Sequence, residues 1–85
     1  MPKSTFTPAY KLLLTALIEL RRQSGVTQVE LSERLRKPQP FISNIERGVR
    51  RIDLIEFYAI TRALGADPEA VFSDLVRCLP KKVAI

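Results

Sequence analysis

Residues Thr27–Gly48 read TQVELSERLRKPQPFISNIERG, and the pattern predicts two short helices joined by a tight turn. Thr27 and Glu30 have the spacing of a capping box, in which a hydroxyl takes a free N–H of the first turn and the glutamate reaches back. Val26 and Leu31 have the spacing of the hydrophobic staple that accompanies it. The second helix, about Gln39–Arg47, carries Phe41, Ile42 and Ile45 as its apolar side. At roughly 100° per residue, Ile42 and Ile45 fall about 60° apart, while Pro40, Ser43, Asn44 and Arg47 gather on the opposite side and Gln39 lies between. A short helix with one apolar stripe and one amide-and-cation face is what a DNA major groove accepts.

Those residue types suit base edges. Gln39 and Asn44 can pair with adenine through two hydrogen bonds, Ser43 serves several bases, and Pro40 can press on a thymine methyl. Phosphate contacts need cations and free N–H donors around the helix. Lys37, Arg47, Arg50 and Arg51 supply the cations, and Gln28 stands at the start of the preceding helix. Pro40 is tolerated in the first turn, where no intrahelical N–H bond is lost.

Working outward, Pro8 to Gln23 predicts a first helix with Leu13, Leu17 and Leu20 on its buried face, ended by Gly25. The second helix runs over about Gln28–Leu35, with Leu31 and Leu35 inward and Ser32 small enough to let a neighbouring helix approach. Asp53 with Glu56 opens a fourth helix at Leu54, whose stripe is Leu54, Phe57, Ile60 and Leu64 and whose end is Gly65. Asp67 caps a fifth helix with Pro68 at its first position. Its apolar face is Val71, Phe72, Leu75 and Leu79, and Pro80 ends it. The expected organisation is a loose arm at Met1–Thr7, one helical domain over 8–80 with its reader at 27–48, and a tail at 81–85. The fold class is all-α: a five-helix bundle with no alternating strand pattern.

Eighty-five residues suit one small domain, and 46% hydrophobic residues exclude a disordered chain. The net charge of +5 is unevenly placed. Residues 1–52 hold ten Lys and Arg against four Asp and Glu, whereas residues 53–85 hold four against five. The positive excess therefore lies with the two-helix segment, which suits a polyanion. Cys78 is the only cysteine and there is no histidine, so no internal disulfide is possible, and neither a Cys/His metal cluster nor a cofactor site is expected. Cys78 reads as a small core hydrophobe. The apolar run Leu12–Ile18 is too short to span a membrane, and Glu19, Arg21 and Arg22 follow it instead of a cleavage site, so a cytoplasmic protein is expected.

These residues also carry a family likeness. Leu20-Arg21, Thr27-Gln28, Glu30-Leu31, Leu35, Gln39, Ile42-Ser43, Ile45-Glu46-Arg47-Gly48 and Ala63-Leu64-Gly65 resemble the XRE family, the Cro and phage-repressor type of helix-turn-helix protein. The likeness covers roughly Tyr10 to Phe72. It implies five helices, the second and third forming a DNA reader. Gln28 would bond a phosphate, and Gln39, Pro40, Ser43 and Asn44 would face base edges. Arg21 and Glu46 would form a partly buried ion pair tying the first helix to the third. Two departures stand out. Arg36 occupies a turn position where the family usually has glycine, so a positive φ there would be strained. Pro38 stands where Ser or Thr often caps the third helix.

Leu14 and Ile18 lie off the first helix's stripe, and serve either a wide core contact or a patch for a second subunit. Val76, Leu79, Val83 and Ile85 offer another seam. Tyr10 and Tyr58 read as half-buried packing residues and Phe41 as an edge residue of the third helix. The leading expectation is a sequence-specific DNA-binding regulator of transcription, a homodimer on a palindromic site. The alternative is a protein-interaction, antitoxin or adaptor module on the same fold. An enzyme is not expected, because no catalytic constellation or phosphate loop is present. No segment offers a home for a small-molecule effector.

Overall fold

Four of the five helices among the described residues begin at a side chain that accepts a backbone N–H of their own first turn. In the computed structural model, which describes residues 7–85, Thr7 accepts from Tyr10 N at the start of α1 (Pro8–Gln23), and Thr27 from Glu30 N at the start of α2 (Gln28–Arg34). Asp53 and Glu56 form a full capping box opening α4 (Leu54–Ala63), and Asp67 accepts from Glu69 N to open α5 (Pro68–Cys78). The exception is α3 (Phe41–Glu46), which has no side-chain cap of its own. The expected arm lies outside the described residues apart from Thr7.

The five-helix, all-α architecture is as the sequence predicts. Helix α1 packs against both α3 and α5, α2 packs against α3 and α4, and α4 packs against α5. One buried cluster joins Tyr10, Leu14 and Leu17 of α1 with Val26 and Leu31, Ile42 and Ile45 of α3, and Ile60 and Leu64. Val26 and Leu31, the expected staple pair, are both in it. Burial of such side chains contributes roughly 1.5–3 kcal/mol each, so α3 is held by the core contacts of its two isoleucines more than by its own short run of backbone hydrogen bonds.

The structure decides one open packing question and corrects others. Of the two alternatives for Leu14, it takes the wide core contact, because α1 is covered on two sides and its interior face widens to Tyr10, Leu14 and Leu17. Leu54 is 73% exposed. The buried stripe of α4 is Phe57, Ile60, Thr61 and Leu64, and Leu54 sits roughly 70° from its centre at about 100° per residue. On α5 only Leu75 is buried. Phe72 is half-exposed, its ring edge-on to Phe57 at 6.1 Å. Cys78, the last residue of α5, is exposed. Tyr10 is buried and its hydroxyl accepts from Ile52 N at 3.1 Å, whereas Tyr58 is exposed. No helix among the described residues is long and apolar enough to cross a membrane.

Candidate nucleic-acid interface

The segment joining α2 to α3 begins with a bonded helix end. Arg36 N donates to Glu33 O and Lys37 N to Ser32 O, both at 3.0 Å. This is the paired pattern of a Schellman motif, which needs a left-handed residue between the two helices. Arg36 occupies that place with φ 56°. Phe41 N then donates to Pro38 O and Asn44 N to Pro40 O, at 3.0 and 2.9 Å. Helix α3 therefore starts at Phe41, two residues later than the sequence predicts, and Pro40 is its N-cap rather than a first-turn residue. The reason is local. Pro38–Phe41 is a separate hydrogen-bonded turn with Pro40 at φ −82° and ψ 5°, and the α-helical ladder begins only after it.

With no cap of its own, α3 borrows one. Ile42 N donates 3.2 Å to the Oγ of Ser32, a side chain on α2 with no exposed surface. The other end of α3 is tied by a carboxylate. Glu46 receives Arg21 Nε at 2.7 Å and Arg21 Nη2 at 3.1 Å, and Arg21 Nη1 also bonds the carbonyl of Val26 at 2.9 Å. Gln28 Nε2 adds a bond to Glu46 Oε1 at 2.8 Å. Arg21 and Glu46 are 12% and 9% exposed. One buried carboxylate thus locks α1, the start of α2 and α3 together, and Gln28 is one of its braces.

Ile42 and Ile45 face the core, so the opposite side of α3 faces outward. Gln39 and Pro40 are exposed ahead of the helix, and Ser43 and Asn44 are half-buried on it. Gln28, Gln39, Pro40 and Ser43 line an open depression between the starts of α2 and α3. Val29, 40% exposed, lines the same depression. Helical periodicity did not single it out, because an exposed valine in a first turn breaks no pattern. Asn44 Oδ1 accepts from Arg47 Nη2 at 2.7 Å, which holds the amide and leaves its Nδ2 as the donor.

Three of the cations expected at phosphates lie against aromatic rings. Lys37 Nζ and the Arg50 guanidinium lie 5.5 and 5.0 Å from the centre of the Phe41 ring. Arg51 lies 4.6 Å from the Tyr10 ring. Arg50 is also clasped by Glu56, at 2.6 and 3.0 Å. Hydrogen bonding from Arg50 holds the Glu56 carboxyl below its usual value against the opposing effect of burial, and the same bond raises the arginine's own value. Sequence reading missed this clasp, since the two residues are six apart across a loop and no helical spacing signals it. It missed the Ser32 cap for the same reason.

Comparison with known proteins agrees with this geometry. A helix-turn-helix family model matches residues 17–71. An uncharacterised HTH-type transcriptional regulator, y4dJ, of Sinorhizobium fredii (strain NBRC 101917 / NGR234) is 38% identical over 55 residues, 65% of this chain and 71% of that protein. Among solved structures, an XRE-family like protein from Pseudomonas syringae pv. tomato str. DC3000 matches with a TM-score of 0.79 and 44% identity, over 86% of this chain and 91% of that one. The clp gene regulator ClgR from C. glutamicum matches with a TM-score of 0.69 and 28% identity, over 85% of this chain and 94% of that one.

Proposed function

This chain belongs to the XRE-type helix-turn-helix family, and on that premise we propose that it is a DNA-binding transcriptional regulator that reads the major groove with α3. The observation that carries the reading is one face where Gln39, Pro40, Ser43 and Asn44 stand outward while Ile42 and Ile45 are buried behind them. Amide, hydroxyl and ring edges on a rigidly held short helix are the chemistry of base readout. Lys37, Arg47, Arg50, Arg51 and the Gln28 amide contact phosphates and set the register. Arg50 acts with its charge partly compensated by Glu56, so it adds less to affinity than an unpaired cation. The Arg21–Glu46 pair is structural and orients the reader.

The protein acts as a homodimer on a palindromic site, because paired readers double the contacts on a two-fold DNA element. The test is a binding titration over salt. With about 4–8 phosphates neutralised per dimer, the log–log slope is about −4 to −7. A flat titration sinks the proposal. Selecting bound duplexes from a random library returns the half-site and its spacing, and hence the dimer geometry.

A protein-interaction module is the second reading, and one observation favours it. Leu54, Ile55, Tyr58 and Phe72 form an exposed apolar cluster on α4 and α5, away from the reader. Purified protein that ignores DNA at low salt yet self-associates, as seen by sedimentation, supports this second reading over the first.

A further inference from the structure

The depression between the starts of α2 and α3 is mixed in character. Gln28, Gln39 and Ser43 offer hydrogen bonds, while Val29 and Pro40 offer none. Single exposed valines are ordinary on a protein surface. Val29 differs by its company: it shares one concavity with three of the four side chains assigned to base edges. Among the groups that base pairs present in the major groove, one is apolar, the C5-methyl of thymine. An apolar pair set among amides matches a methyl set among donors and acceptors.

We infer that Val29, with Pro40, forms the apolar side of this depression and selects a thymine C5-methyl in each half-site. Helix α2 then contributes to specificity, and is not confined to supporting α3 and contacting phosphates. Val29 lies in the first turn of α2, directly after Gln28, whose amide is fixed on Glu46. Val29 is β-branched, and within a helix such a side chain keeps one strongly preferred χ1 rotamer. Deoxyuridine deletes that methyl and leaves every hydrogen-bonding group of thymine in place, which isolates the contact.

The inference rests on the DNA-reading proposal, and the experiment separates the two. The full chain and its Val29→Ala variant are titrated against the duplex that the wild-type chain selects from a random library. Each thymine of that duplex is replaced in turn by deoxyuridine. Loss of one methyl contact lowers wild-type affinity about three- to tenfold at one position per half-site. The variant binds the parent duplex weaker by a similar factor, ignores that replacement, and keeps the wild-type salt slope. A wild-type chain that binds with a flat deoxyuridine series overturns the methyl contact and leaves the reader standing. So does a variant that retains the wild-type sensitivity. A wild-type chain that selects no duplex overturns both.

Discussion

Helices α3 and α4 begin in opposite ways. The start of α4 is written in four consecutive residues: Asp53 accepts from Glu56 N at 2.7 Å, and Glu56 Oε1 accepts from Asp53 N at 3.0 Å. The start of α3 has no such residues, and a buried serine from α2 supplies its cap. Helix α4 runs ten residues and α3 only six. Isolated helices of either length are marginal in water, but α4 carries its own start signal and α3 does not. The helix that faces the candidate ligand is thus the one whose position its neighbours dictate. Orientation by α1 and α2 suits a reader, which must be held rigidly to align several side chains with base edges at once.

The sharpest way to break the contrast is at the far end of α3. Glu46→Ala leaves the Arg21 guanidinium partly buried without its carboxylate and releases Gln28. A loss of about 2–4 kcal/mol is expected in urea unfolding, near the lower range for orphaning a buried charge. A loss no larger than for an exposed pair such as Arg34–Glu30, about 0.5 kcal/mol, contradicts the locking role.

Next comes the borrowed cap. Ser32→Ala removes the acceptor for Ile42 N in a fully buried place, with an expected cost of about 1–3 kcal/mol. Asp53→Ala at the exposed start of α4 costs about 1 kcal/mol. The two differ more in consequence than in size. Ser32→Ala is expected to weaken DNA binding beyond its stability loss, measured well below the melting temperature, because it loosens α3. Asp53→Ala is expected to act through stability alone. Equal effects on binding erase the distinction between the two starts.

The turn offers an effect of opposite sign. Arg36 holds φ 56°, a region that side chains other than glycine enter at a cost. Arg36→Gly is expected to raise stability by about 0.5–1 kcal/mol in thermal unfolding. A drop in melting temperature shows that the arginine side chain outweighs its backbone strain.

The smallest effect concerns Glu56 and pH. Its carboxyl is held below the usual value by Arg50, with help from the Asp53 backbone N–H. A lowered folded value means that the stabilisation is fully present above the unfolded glutamate value, near pH 4.3. It fades as pH falls through the lower folded value. The pair is partly exposed, 43% for Arg50 and 20% for Glu56, so less than about 1 kcal/mol is involved. Glu56→Gln is expected to be slightly less stable than the parent at pH 7, and the gap is expected to close in acid. A gap independent of pH removes the ionised pair as its source.

How much was legible follows the range of each interaction. Thr27, Asp53 and Asp67 announced three helix starts, because a cap and its N–H lie two or three residues apart in the chain. Gly25 and Gly65 marked helix ends for the same local reason, with φ 71° and 76°. Leu54 and Cys78 were misplaced and Leu14 was left undecided, because amphipathic spacing names a face but not how many neighbours cover it. Gln39 and Pro40 were assigned to α3 and lie ahead of it, since the periodicity of Ile42 and Ile45 does not separate a hydrogen-bonded turn from the first turn of the helix.

Sequence alone was therefore enough for five helices, their approximate bounds, and an outward set of Gln39, Pro40, Ser43 and Asn44, all of which follow from contacts within one helical turn or from turn chemistry. The family likeness, not the residue pattern, pointed to the Arg21–Glu46 tie that holds that set, and the rest of what holds it was decided by the tertiary structure. Ser32 reaches Ile42 across ten residues, Arg21 reaches Glu46 across twenty-five, and Tyr10 reaches Ile52 across forty-two. No periodicity encodes such pairs, since each exists only once packing has brought two separate elements within hydrogen-bond distance. The same packing set Val29 beside Gln39 and Ser43, and so made an ordinary valine part of the candidate reading face.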